Sequence, residues 1–368
     1  MRRVENIYYR KDKRWEGRVI VGRRSNGKPI FMSVYAKTLR ELKEKLLPLK
    51  LKYQILMSEQ GDSSMSFEDW GIEWLREVQI DVKESTFANY EYKLNFYALS
   101  VIGMYSLNEL DEAVGEELLD SLFERDLSPS TIQGIFRIVK QCVNRAIDKK
   151  LIKVNPFSKI KLPKIMKKMN QALTKQEQKS LETAAIEEEN GFGLPTLMAL
   201  HAGVRIGEAA ALPWENVDFE NNVIRIDATY QRVFTPMADT RTTLVYSSSK
   251  SSASNRVIPM SKTLRKALLE HKKQAVGEFV FSNKENPSEP RLLTYHFHEI
   301  RKIAGLEHVH FHQLRHTFAT RCVESNGDIV SVSALMGHSS AKMTLDTYSG
   351  SMMEQRIQVV NQMEAAIS

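Results

Sequence analysis

Between Phe311 and Tyr348 the chain reads FHQLRHTFATRCVESNGDIVSVSALMGHSSAKMTLDTY. His312 and Arg315 stand three residues apart, a spacing that puts both side chains on one face of a helix. Gly337 and His338 follow, and Tyr348 comes ten residues after His338. A neutral imidazole, a guanidinium fork, a second imidazole and a phenol together suit a phosphodiester. The fork keeps its charge and can hold two non-bridging oxygens, which Lys cannot copy. The imidazoles donate hydrogen bonds or move protons. Tyr348 supplies the attacking oxygen, and its phenol, with an ordinary pKa of about 10, needs neighbouring cations to ionise.

A second arginine lies upstream in His201-Ala202-Gly203-Val204-Arg205-Ile206-Gly207-Glu208. Gly203 reads as a helix end and Arg205 as the opening of the next helix, Arg205 to Leu212, where free backbone amides make an anion site. Plainer readings stand beside these. Arg205 could form a surface ion pair with Glu208, His338 could cap a helix, and most of the twelve tyrosines are packing residues. A metal route to the same chemistry needs clustered carboxylates, and no Asp/Glu cluster with that spacing occurs. His308, His310, His312 and His316 are closely spaced, but no Glu stands beside them as in His-Glu-x-x-His, and Arg315 would repel a cation. No metal is therefore expected, and His316 and Phe318 read as packing.

Taken in order, Ala-Gly-Val-Arg-Ile-Gly-Glu (202–208), His-Gln-Leu-Arg-His-Thr-Phe-Ala-Thr (312–320), Leu-Met-Gly-His (335–338) and Thr-x-x-Thr-Tyr (344–348) resemble the tyrosine recombinase family. The resemblance is strong over residues 172–350 and one of layout over 1–150. It implies a catalytic set of Arg205, Lys250, His312, Arg315, His338 and Tyr348. In it Glu208 orients its neighbours, and Lys250, in the turn before Arg256-x-Ile258-Pro259, acts as general acid on the leaving 5′-hydroxyl. It implies cutting and rejoining of double-stranded DNA attachment sites through a 3′-phosphotyrosyl intermediate, without metal or nucleotide cofactor. It also implies a homotetramer on a Holliday junction, and as accessory partners an excisionase or a host DNA-bending protein.

The elements that position these residues follow from patterning. The implied fold is multidomain α+β: a three-stranded sheet plus helix, a helical core-binding domain, and a mainly helical catalytic domain with a small antiparallel sheet. Boundaries read as 1–57, 65–158 and 172–368, the last ending in a tail helix. Residues 1–53 hold 16 Lys and Arg against 5 Asp and Glu, a balance of +11 in a chain of net charge +7. So basic a segment points to a polyanion; the alternative is a solvated charged surface. Strands are predicted over Ile7–Arg10, Arg14–Gly22 and Pro29–Tyr35, with Asn26-Gly27 as a hairpin signal. A helix capped by Thr38 and Glu41 carries Leu39, Leu42, Leu46 and Leu49. This layout resembles the arm-binding domains of phage and conjugative-transposon integrases, whose sheet enters the major groove. Arg10, Arg14, Arg18, Arg23 and Lys28 are the contact candidates, while Trp15 and Val19 could equally be core.

Ser58 to Ser64 reads as a linker. Helices are predicted over Phe67–Val78, Thr86–Tyr97, Gly115–Phe123 and Thr131–Lys149, with Lys83, Thr86 and Lys93 on one polar edge and Arg137 on another. Residues 149–168 carry eight lysines, Lys161 among them, and no acid; they read as a basic extended connector suited to crossing a phosphate backbone. Further helices are predicted over Thr174–Glu189, Leu194–His201, Lys262–Lys273 and Tyr295–Ala304. A strand is expected from Val223 through Val233, an insertion from Phe234 to Val245, and a serine-rich turn from Ser247 to Ser254. After Tyr348 an amphipathic helix with Met353, Ile357, Val360 and Ile367 on one face is expected to dock on a neighbouring protomer. No run of 18 apolar residues exists, the charged start lacks an apolar signal core, and Cys142 and Cys322 read as buried free thiols. The expected location is the bacterial cytoplasm, at the nucleoid. A chromosome-dimer resolvase would share the chemistry but normally lack the basic sheet domain. A purely architectural DNA-binding protein would not need Arg205, Arg315 and Tyr348 together.

Overall fold

The computed structural model describes residues 6–367 except 24–27, 60, 62, 167–171, 236–241, 249–254, 284–285, 339, 341, 343, 346–356, 358–359, 362 and 366. Tyr348, Lys250 and Met353 therefore lie outside the described residues. The chain forms two compact units: residues 1–167 with 234–239, and residues 168–233 with 240–368.

In the first unit, alternating polarity builds an antiparallel sheet in the order β1 (Ile7–Tyr9), β2 (Trp15–Arg23), β3 (Pro29–Ala36). Val19 and Ala36 face inward onto α1 (Leu39–Glu59), where Leu42, Leu46 and Tyr53 are buried; Trp15 packs on the same core. Helix α1 continues past Pro48. An interior proline costs roughly 3 kcal/mol, but each buried large apolar side chain returns roughly 1.5–3 kcal/mol, so packing prevails. The described ends of the expected linker Ser58–Ser64 are held by the first unit. Helix α1 continues to Glu59, the Ser64 hydroxyl donates to the Arg23 carbonyl at 3.1 Å, and buried Asn108 donates to the Val21 carbonyl at 3.0 Å.

Helices α2 (Phe67–Asp81), α3 (Glu84–Lys93), α4 (Ser100–Ile102), α5 (Glu112–Glu124) and α6 (Pro129–Asp148) form the rest of this unit, with a π-helical turn at Leu94–Leu99 between α3 and α4. Their core holds Phe67, Trp70, Trp74 and Phe136, and the Trp70 indole donates to the Cys142 carbonyl at 3.0 Å. The expected extended connector begins later than its lysines suggest. Ile152, Phe157 and Ile160 are buried in the helical core, so residues 149–160 pack onto this unit.

The second unit is organised on α8 (Leu194–Ala202), which follows α7 (Lys175–Glu187). Eight of the nine α8 residues are buried, because the segment is apolar all round and belongs in a core centre. Around it lie α9 (Ile206–Ala210), α10 (Lys262–Gln274), α11 (Pro290–Ile303), α12 (Phe311–Glu324) and α13 (Ile329–Met336). Helix α11 starts five residues earlier than predicted, with Pro290 at its first position, where the missing N–H costs nothing. The strand expected from Val223 through Val233 is two strands in separate sheets. One sheet has the order β4 (Val217–Asp218), β5 (Val223–Ile226), β8 (Arg256–Pro259); the other pairs β6 (Ala228–Phe234) with β7 (Thr242–Ser248). Part of the expected insertion is thus strand, as are Ser247 and Ser248 of the expected turn.

Cys142 and Cys322 are free thiols. Ile357, Val360 and Ile367 are helical and exposed. No helix among the described residues is long and apolar enough to cross a membrane.

Gly203 ends α8 in the left-handed region at φ 61°, and a Cβ there would lie 2.5 Å from Phe318 Cδ1. Gly203→Ala is expected to destabilise the protein by about 1–3 kcal/mol, read as a lower urea midpoint; an unchanged midpoint contradicts this packing.

Candidate functional site

The second unit gathers its cationic side chains where α8 and α13 end. Both helices finish on a left-handed glycine, Gly203 and Gly337. Their last carbonyls lack intrahelical partners. Arg315, the fifth residue of α12 and only 2% exposed, donates Nη1 to the Gly203 carbonyl and Nη2 to the Met336 carbonyl. One guanidinium therefore ties together the segments that carry Arg205 and His338.

Arg205 is the N-cap of α9, and its side chain is 40% exposed. Glu208 receives its backbone N–H at 2.9 Å and its Nη1 at 2.7 Å. Among the described residues Nη1 is the one guanidinium nitrogen of Arg205 with a hydrogen bond. The anion site expected at a helix N-terminus is corrected here: α9 has five residues, too few for a strong dipole, and Glu208 already occupies the Arg205 amide. What remains for an anion is the guanidinium itself.

Glu208 is shared. Arg256 on β8 is 8% exposed and grips the same carboxylate with Nη1 at 3.1 Å and Nη2 at 2.7 Å, while its Nε donates to the Leu335 carbonyl at 2.8 Å. Burial raises the Glu208 pKa, but the Arg256 hydrogen bonds and the charges of Arg256 and Arg205 outweigh it and hold the group at about 2. Sequence reasoning did not select Arg256. The available signal was its register: it alternates with buried Ile258 on one strand, and an inward charge must find a partner.

Three imidazoles complete the cluster. His312 lies at the exposed rim of α12; burial lowers its pKa, followed by Arg315 and Arg205. His338 follows Gly337, and its Nδ1 lies 2.8 Å from the hydroxyl of buried Thr344. Burial, then Arg315 and Arg205, push it down to about 4. His316, expected to be packing alone, sits edge-on to His312 with ring centroids 4.7 Å apart; burial, His312 and Arg315 push it to about 4. The four sequence candidates Arg205, His312, Arg315 and His338 thus share one electrostatic environment. The rest of the closely spaced histidine series disperses: His308 reaches Glu177 at 3.7 Å instead. Among the described residues, Arg205 and Arg256 share the Glu208 carboxylate while Arg315 is held by carbonyls, so the cluster keeps positive charge that suits an anion held by hydrogen bonds.

Two further surfaces lie on the first unit. On the outer sheet face, Glu16 is 3% exposed and accepts from Arg10 at 2.7 Å, Arg18 at 2.9 Å and the Ser33 hydroxyl at 2.9 Å. Its carboxyl is held at about 2 by the Arg18 hydrogen bond first, then those of Arg10 and Ser33. Arg10 and Arg14 lie over the Tyr35 ring, Arg18 over Tyr8, and Arg14 pairs with Asp12. A register shift between Ile20 and Gly22 returns Arg23, paired with Pro29, to the face that carries Arg18. Lys28 is exposed just before β3. On the helical block, Lys93 and Arg137 are neighbours whose like charge, after burial, lowers the Lys93 pKa. Arg137 also lines a groove of ≈ 960 Å³ with Gln133, Lys140 and Asn144. Lys83 caps α3, Thr86 follows on its first turn, and Lys161 is exposed just past Ile160.

The phage integrase family matches residues 158–355, and a phage integrase N-terminal SAM-like domain matches residues 66–123. A tyrosine recombinase XerC-like protein of Caldanaerobacter subterraneus subsp. tengcongensis is 25% identical, over 93% of both chains. The ICEBs1 integrase of Bacillus subtilis is 22% identical, covering 95% of this chain and 94% of its own. Among solved structures, the Tn1549 transposon integrase in complex with a circular intermediate DNA matches with TM-score 0.68 and 21% identity, over 77% of this chain and 95% of its own. A lambda integrase tetramer bound to a Holliday junction matches with TM-score 0.59 and 16% identity, over 91% and 96%. These structural likenesses show the fold.

The histidine values fix a pH dependence. His316 and His338 stand at about 4 against an ordinary 6.5, so the unfolded chain takes up their protons first. Their neutral forms are compatible with the folded state above pH 6.5, and stability falls as pH drops from 6.5 toward 4. In denaturant titrations across that window, His316→Gln and His338→Gln are each expected to remove about one proton of linkage. A slope unchanged in both variants contradicts the assignment.

Proposed function

The chain belongs to the phage integrase family, and on that premise we propose that it is the integrase of a phage or conjugative transposon, cutting and rejoining DNA attachment sites to integrate and excise the element. The observation that carries the proposed site is the convergence of Arg205, Arg315, His312 and His338 on one anion-binding frame.

In the proposed reaction the Tyr348 oxygen attacks the scissile phosphorus. A P–O bond to tyrosine forms as the P–O5′ bond breaks, leaving Tyr348 on the 3′-phosphate. Arg205 and Arg315 neutralise the non-bridging oxygens, where preorganised donors lower the barrier most. His312 and His338 are neutral at physiological pH, so each can donate one hydrogen bond and accept a proton. Lys250 gives its proton to the departing 5′ oxygen. A 5′-hydroxyl from the partner strand then reverses the step, so bond number is conserved and no nucleotide is consumed. Glu208 acts through Arg205.

The domain division 1–57, 65–158 and 172–368 belongs to the same proposal, with the first reading arm-type DNA through Arg10, Arg14, Arg18, Arg23 and Lys28. Lys83, Thr86, Lys93, Arg137 and Lys161 would hold the core-site backbone. Four copies would assemble on a Holliday junction through exchange of the tail bearing Ile357, Val360 and Ile367, whose exposure in the single chain supports such docking. An excisionase or a host DNA-bending protein would set direction. The reaction would take place at the bacterial nucleoid. A chromosome-dimer resolvase is disfavoured because the basic sheet face has no part in that task.

Denaturing electrophoresis after incubation with a nicked suicide duplex tests the chemistry. Wild type should form a covalent adduct, Tyr348→Phe none at undiminished binding, and Arg315→Lys about a hundredfold less per unit time. Binding without adduct in wild type would leave a DNA-binding module only. For the sheet, Arg18→Ala should weaken arm-site binding and reduce the salt slope by about one, leaving cleavage of the core site alone unchanged; an unaltered salt slope contradicts the arm reading.

A further inference from the structure

We infer that Arg256 is a positioning residue for the phosphate pocket, setting Arg205 and the His338 segment in one frame. The inference rests on the reading of that pocket given above and adds a residue to it. Arg256 reaches the two halves of the site from a third element. Through Nη1 and Nη2 it holds both oxygens of Glu208, the carboxylate that fixes the Arg205 backbone and side chain. Through Nε it holds the Leu335 carbonyl on the last turn of α13, three residues before His338. Arg315 spans the same two segments by other atoms, the carbonyls of Gly203 and Met336. The hydrogen bonds therefore close a ring, from Arg205 through Glu208, Arg256, α13 and Arg315 to Gly203 and back along the chain. Arg315 alone would be a hinge between two helix ends; a second brace one residue away along α13 removes that freedom.

The contacts are built for placement. The Arg256 side chain is 4% exposed and that of Glu208 6%, so both are withdrawn from bulk water and neither is positioned to meet DNA directly. A planar fork meets the carboxylate at two points and the helix carbonyl at a third, so the group has one orientation, which a lysine could not reproduce. If Arg256 only neutralised Glu208, the bond to Leu335 would be superfluous.

The test uses the full chain on the nicked suicide duplex, measuring DNA affinity and single-turnover cleavage separately for wild type, Arg256→Lys, Arg256→Gln and Arg256→Gln combined with Glu208→Gln. Arg256→Gln is expected to cleave about 10- to 100-fold more slowly, the scale of a small misplacement of catalytic groups, with affinity within about threefold of wild type. Arg256→Lys should recover part of the rate, and the double variant should be no slower than the worse single, because both changes break one chain of contacts. Wild-type cleavage in either Arg256 variant overturns the inference. So does a parallel fall of affinity, cleavage and melting temperature, which marks a purely structural role. If Arg256→Gln does not fold, Arg256→Lys decides: slower cleavage at unchanged affinity supports the inference, and an unchanged rate overturns it. Absence of any adduct in wild type would instead strike the functional reading itself.

Discussion

The site depends on Arg315 lying between two helix C-termini. A buried guanidinium is expensive unless its donors are met, and a helix that ends in the interior leaves carbonyls without partners. Here each defect answers the other. Helices α8 and α13 each turn out through a left-handed glycine, and Arg315 joins the carbonyls of Gly203 and Met336. The partial negative charge at the two helix ends compensates the arginine, so the cation is held in place by backbone carbonyls.

From that arrangement the chemistry follows. The one carboxylate described in the cluster, Glu208, is gripped by Arg256 and Arg205 together and is ionised far below neutral pH. The imidazoles of His312, His316 and His338 are driven toward neutrality by burial and by the arginines. Fixed positive charge beside imidazoles driven toward neutrality is the arrangement that the proposed phosphodiester chemistry needs. The basic sheet obeys the same logic with different parts: Glu16 aligns Arg10 and Arg18 while aromatic rings support their planes.

The pocket residues were legible in the amino-acid sequence because each contributes a side chain at a fixed spacing within a recognisable box. The brace was not, because Arg315 and Arg256 bind backbone carbonyls, which carry no sequence signature. His316 was read as packing since an i,i+4 neighbour of His312 serves core and site equally. Strands β1 to β3 were read nearly to the residue from alternation and turn residues. The helix carrying Leu39, Leu42, Leu46 and Leu49 was read through Pro48, and only its end differs: α1 continues to Glu59, into the stretch expected as linker, with Leu42, Leu46 and Tyr53 buried beneath it. The basic connector misled in the same way: its lysines mask Ile152, Phe157 and Ile160, which anchor it.

The most direct measurement is identification of the residue and the DNA end joined in the covalent complex. Protein trapped on a suicide duplex would be digested and the nucleotide-bearing peptide sequenced by mass spectrometry. The expected result is a single linkage between Tyr348 and a 3′-phosphate, with a free 5′-hydroxyl on the released strand. A linkage to another residue, or to a 5′-phosphate, would contradict the assignment of this pocket and its nucleophile.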